Sequence, residues 1–125
     1  MIRVSVRFLI DRGVIADQCI VANCFFSRLK GLIGKSRLAP GEGLLLSPCN
    51  DIHMWFMSMP IDVVFLRRPG GELTGEVWEV CGVRENLRPW KLLPVRERRA
   101  SATLELPAGT VRRHAITQGD ALCIG

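Results

Sequence analysis

The sequence predicts a mainly-β fold, a small single-domain sandwich or jelly-roll-like barrel of about seven or eight short strands with one or two short helices. Three observations lead there. The start of the chain, Ile2 to Phe8, alternates apolar and polar side chains, the period of a strand with one wet face. Two later segments, Leu44–Leu46 and Ile61–Leu66, are short and almost wholly apolar, the pattern of buried strands. Glycine and proline punctuate the chain at short intervals, which suits turns between short strands and not alternating helices and strands.

Element by element, Ile2, Val4, Val6, Phe8 and Ile10 alternate with Arg3, Ser5 and Arg7 and form the first strand. Asp11-Arg12-Gly13 is a turn, and Val14–Ala22 returns as the second arm of a hairpin. Asn23 suits the N-cap of a short helix over Cys24–Lys30, with Gly31 at its C-terminal end. Pro40-Gly41-Glu42-Gly43 is a loop before the strand at Leu44–Leu46, which Ser47-Pro48 interrupts. The strand Ile61–Leu66 closes on the turn Arg67-Arg68-Pro69-Gly70-Gly71, and Val77–Val83 and Ala102–Leu106 follow as strands. Pro107-Ala108-Gly109-Thr110 leads into a short helical piece ending near Ala115. Thr117–Asp120 then turns into a final strand over Ala121–Ile124.

Size and composition bound the function classes. A chain of 125 residues, 48% hydrophobic, is expected to be one domain over residues 1–125, with a real core and no disordered tail. No run approaches the roughly 18 apolar residues of a membrane-spanning helix. The N-terminus lacks the pattern of a signal peptide, so a cytoplasmic location is expected. The five cysteines, at positions 19, 24, 49, 81 and 123, are odd in number and contain no C-x-x-C pair, which predicts free thiols. Basic residues outnumber acidic ones 17 to 12, much of the excess lying between Arg84 and Arg99, with Arg112 and Arg113 beyond. Such a stretch can hold phosphate or nucleic acid weakly, although a solvated face is the commoner explanation.

The densest segment runs from Cys49 to Asp62 and holds one of the two histidines and three of the four methionines. Its run Ile52-His53-Met54-Trp55-Phe56-Met57-Ser58-Met59-Pro60-Ile61-Asp62-Val63-Val64-Phe65-Leu66 resembles the signature of domain-of-unknown-function family 192, also called uncharacterised protein family 0127. Gly31-Leu32-Ile33-Gly34, Leu87-Arg88-Pro89-Trp90, Leu104-Glu105-Leu106-Pro107-Ala108-Gly109-Thr110 and Gly119-Asp120 match the same pattern, so the resemblance spans about Arg28 to Ile124. It implies a compact mainly-β fold of sandwich or jelly-roll type and no assigned activity. Many relatives carry an export signal or membrane anchor, which the sequence given does not show. Relatives usually place acidic residues and a glycine in the turn after Leu66, where this chain has two arginines, and they vary at the position of His53.

Four chemistries compete for this segment. Cys49, His53 and the nearby methionines Met54, Met57 and Met59 are soft ligands that would suit Cu(I). Methionine beside aromatics is more often adaptable core filling, so no metal or other cofactor is expected. Cys49, His53 and Asp62 are the parts of a thiol nucleophile, its base and an orienting carboxylate, but no complete catalytic motif surrounds them. Leu87-Arg88-Pro89-Trp90-Lys91 offers an aromatic and charges to nucleic acid, yet the chain has no tyrosine and few aromatics for base stacking. The leading reading is a non-catalytic binding or accessory module. It would present a groove around His53 and Asp62, with Trp55 and Trp90, to a small molecule, glycan or protein. Asp62 decides much of this. A lone buried carboxylate either bonds neighbouring backbone N–H groups or waits at a site for a partner.

Overall fold

The computed structural model describes residues 2–10, 13–22, 38–52, 59–69, 76–89 and 95–125. Among them are nine strands and one helix. In chain order these are β1 (Ile2–Phe8), β2 (Val14–Ala22), β3 (Glu42–Leu46), β4 (Asp51–Ile52), β5 (Ile61–Arg67), β6 (Val77–Leu87), β7 (Val95–Arg96) and β8 (Ala102–Pro107), then α1 (Thr110–His114) and β9 (Ala121–Ile124). Seven strands close into a barrel in the order β1-β2-β3-β8-β5-β6-β9, and β4 pairs with β7 as a separate two-stranded sheet. The barrel expectation is met. The two short strands β4 and β7 are additions, and β6 runs on past Val83 to Leu87. The expected helix over Cys24–Lys30 lies outside the described residues.

Closure comes from β1, which pairs antiparallel with β2 on one side and with β9 on the other. β2 and β3 are parallel, Ile20 lying opposite Leu44. Parallel neighbours need a long crossover, and residues 23–41 make that connection. β8 and β5 fill the middle of the sheet: β8 pairs with both β3 and β5, and β5 also with β6. A closed sheet leaves these seven strands no unpaired edge.

Two cores follow from the period of two along each strand. One face of every barrel strand points inward, and Val6, Phe8, Ile15, Ala16, Cys19, Leu45, Val64, Leu66, Trp78, Leu104 and Leu122 fill the interior. Val111 of α1 and Ile116 belong to the same cluster, so the helical segment stoppers one end of the barrel. The opposite face of β3, β5 and β6 carries a second cluster of Leu44, Leu46, Ile61, Val63, Phe65 and Cys81, joined by Cys49, Val95 and Ala100 from the loops and strand that lie over it. Hence β1 is buried only at alternate positions near its end, Val6 and Phe8, while Ile61–Leu66 is buried throughout, Asp62 included. One has water on its outer face and the other is covered on both.

Candidate functional site

Asp62 is fully buried. It shares its side of β5 with Val64 and Leu66 of the inner core, and its carboxylate sits inside the stoppered end of the barrel. Oδ1 accepts the N–H of Asn86 at 2.8 Å, and Oδ2 accepts those of Gly109 at 3.0 Å and Val111 at 2.9 Å. The first bond pins the end of β6, where Asn86 adopts the left-handed conformation with φ 53°. The other two hold the first turn of α1, whose own N-cap, Gly109 at φ 93°, has no side chain to offer. Asp62 thus supplies from across the barrel the acceptor that a capping serine or aspartate supplies locally. These bonds are those of the first of the two roles expected of Asp62, a buried carboxylate tied to neighbouring backbone N–H groups. The carboxylate points inward, and three backbone donors occupy it.

Cys49 is disulfide-bonded, while Cys19, Cys81 and Cys123 are free. Both the expectation of a free nucleophilic thiol at Cys49 and that of five free thiols are corrected by this bond. A disulfide sulfur has no thiolate to attack with. Backbone contacts hold the residue on both sides, its N–H donating to Ser101 O at 3.0 Å and its carbonyl accepting from Thr103 Oγ1 at 2.9 Å. Burial lifts the free thiol of Cys19 to about 12. Cys81 is raised too, first by burial and then by the charge of Glu97.

His53, Trp55 and Trp90 lie outside the described residues, as do Met54 and Met57. Met59 is described, and its sulfur accepts the N–H of Leu38 at 3.3 Å, a packing contact. Among the described residues no three His, Cys, Asp or Glu side chains stand together as a metal site would require.

What the fold does form beside Cys49 is a surface recess of about 300 Å³, lined by Pro48, Cys49, Asn50, Ala100 and Ser101. Its two walls are the link between β3 and β4 and the turn before β8. They are laced together by Cys49 N–H to Ser101 O and by Glu97 N–H to Asn50 O at 3.0 Å. Asn50 and Ser101 are exposed, so the recess offers an amide and a hydroxyl beside the rings and methyls of Pro48 and Ala100. None of its lining residues is charged. Sequence reasoning reached Cys49 but not Asn50, Ala100 or Ser101, because half of the recess comes from a turn about fifty residues further along the chain.

The basic stretch is partly neutralised from within. Glu97 receives Arg99 Nε at 3.0 Å and lies 3.7 Å from Arg84 Nη2. Arg99 also donates to Cys81 O at 2.7 Å, and Arg84 to Val83 O at 2.9 Å. Hydrogen bonds from Arg99 hold the Glu97 carboxyl below its usual range. Gly82 makes room for the group: a Cβ there would stand 3.3 Å from Glu97 Oε2 and 3.4 Å from Arg84 Nη1. Arg112, further on, approaches Glu85 at 3.9 Å.

Glu105 is the residue that motif reading passed over. It is 1% exposed, on the outer face of β8 between Leu44 and Val63 and beneath the second layer. A buried carboxyl group in an apolar layer needs polar company.

Fold and site together define a closed seven-stranded β-barrel with a second small sheet over one face and an uncharged recess where the two layers meet. The chain belongs to domain-of-unknown-function family 192 (DUF192, Uncharacterized ACR), whose model matches residues 9–124. Two solved structures share the fold. A protein of unknown function from Novosphingobium aromaticivorans DSM 12444 is 22% identical with a TM-score of 0.71, the match covering 97% of this chain and 83% of that one. A protein from Sinorhizobium meliloti 1021, described as a candidate transcription regulator, is 25% identical with a TM-score of 0.70, covering 96% and 90%. No curated protein matches the chain.

Proposed function

We propose that the protein is a non-catalytic binding module acting as one domain, and that its ligand enters at the recess beside Cys49. The observation that carries this reading is the chemistry of the recess: an exposed amide at Asn50 and a hydroxyl at Ser101 beside small apolar surfaces, with no charge in the lining. Such a lining favours a neutral ligand that pairs hydrogen-bonding groups with apolar faces, a glycan or an extended peptide segment, over an ion. His53 follows directly on β4, so it and Trp55 are proposed as further contacts, with Trp90. Of the residues proposed for catalysis, Cys49 is in a disulfide and Asp62 is committed to backbone donors, which argues against an enzyme built on them.

The test is a titration of isotope-labelled protein with neutral oligosaccharides and with unstructured peptides, followed by amide chemical shifts. Shifts centred on Asn50, Ala100 and Ser101 are expected with one of the two panels. Turnover of a panel member, or shifts gathered on another face, would reject the reading.

A second reading, weak binding of nucleic acid or another polyanion, has two supports: the net charge of +5 and the description of the Sinorhizobium relative. Against it, Glu97 engages Arg84 and Arg99 at the centre of the basic stretch. Among the described residues no helix is long and apolar enough to cross a membrane.

A further inference from the structure

We infer that the disulfide at Cys49 is a permanent structural bond, and that the protein is built to fold and act where thiols are oxidised. The surroundings of Cys49 are those of a staple. A disulfide that works by exchange must present a sulfur to an attacking thiolate. Cys49 is 5% exposed and lies in the outer core with Leu44, Leu46 and Ala100. Its N–H and its carbonyl are both tied to the β8 side, at Ser101 and Thr103, so the loop has little freedom to swing the bond outward.

The remaining cysteines fit the same setting. Among the described residues Cys19, Cys81 and Cys123 are free. Exchange requires a thiolate. Cys19 is fully buried in the barrel interior, and Cys81 is 1% exposed beneath the second layer, its sulfur donating to Phe65 O at 3.5 Å. Neither can scramble the bond while the protein is folded. Cys123 is partly covered, its sulfur 3.9 Å from Glu76 Oε2. The bond forms when two thiols lose two protons and pass two electrons to an oxidised dithiol carrier. Compartments that maintain such carriers are those in which structural disulfides persist.

The inference is independent of what the recess binds, but the staple lies in the recess wall and predicts where its loss is felt. Cells expressing the full chain are quenched in acid and alkylated, and the labelled cysteines are mapped by mass spectrometry. Labels are expected at Cys19, Cys81 and Cys123, with Cys49 unlabelled until reduction. The purified folded protein should resist glutathione at cytosolic ratios. Reduction in denaturant should then lower the folded-to-unfolded ratio by about a hundredfold. Hydrogen exchange should rise first at residues 47–52 and 97–101, while the strands around Val64 and Leu104 stay protected. Reduction of the natural protein is the primary measurement, and Cys49→Ala, whose folding depends on the same bond, the second. Full labelling of Cys49 in quenched cells would overturn the inference. So would rapid reduction of the folded protein by glutathione without loss of stability.

Discussion

At the scale of single residues, the buried Asp62 carboxylate ties separate elements together. One carboxylate joins β5 to the end of β6 and to the first turn of α1 through three backbone N–H groups. Asp62→Asn keeps the shape but turns one acceptor into a donor that faces those same N–H groups. A loss of about 1–3 kcal/mol is expected, from the unsatisfied buried donors. Urea denaturation of the variant beside the parent measures it, and unchanged stability would reassign the carboxylate. Glu97 gives a second expectation at this scale. Its folded-state pKa lies below the ordinary 4.5, chiefly through hydrogen bonds from Arg99, so its contribution is whole above that value and fades as pH falls through the lowered one. Stability measured from pH 7 downward should therefore decline less steeply below 4.5 in Glu97→Gln than in the parent. Parallel acid limbs would show that Glu97 is not among the groups that set it.

At the scale of elements, β5 is the strand on which both cores depend. Phe65 is fully buried on its outer face, with the Arg84 guanidinium 5.5 Å from the ring centroid, and Leu66 next to it is fully buried in the interior. Phe65→Ala removes the largest fully buried side chain among the described residues and is expected to cost about 3–5 kcal/mol. Thermal unfolding of that variant beside one of the exposed Val14 checks the claim, since truncating an exposed side chain should change little. The elements also show what local pattern conveys. Alternation in Ile2–Phe8 and the continuous run in Ile61–Leu66 were legible as strands with different environments, because covering a second face demands apolar residues at successive positions. Strands β4 and β7 were not legible. Two residues are too short for any period, and their pairing, Asp51 with Arg96, joins parts of the chain far apart in sequence.

At the scale of the whole molecule, closure makes the barrel cooperative while the β4–β7 sheet is an appendage of two residues per strand. Amide exchange should rank accordingly: slowest at Val63–Leu66 and Thr103–Leu106, in the middle of the sheet, and faster at β4 and β7 by several orders of magnitude. Equal protection in the two sheets would mean that the layers unfold as one unit.

The sequence by itself determined the family, the mainly-β class, most strand positions and the turn into α1. Each of these rests on local signals: periodicity, turn residues and motif spacing. Tertiary structure alone decided the fates of Asp62, Cys49 and Glu105. Leu104-Glu105-Leu106 reads locally as a strand with a polar outer face, yet the second layer buries Glu105. Asp62 looks like a site carboxylate until Gly109 and Val111 arrive from β8's far end to occupy it. The recess exists only because Cys49 and Ser101 meet across the fold. Local sequence records which way a side chain points along its own strand. What that side chain then meets is set by segments distant in the chain, and only folding brings those together.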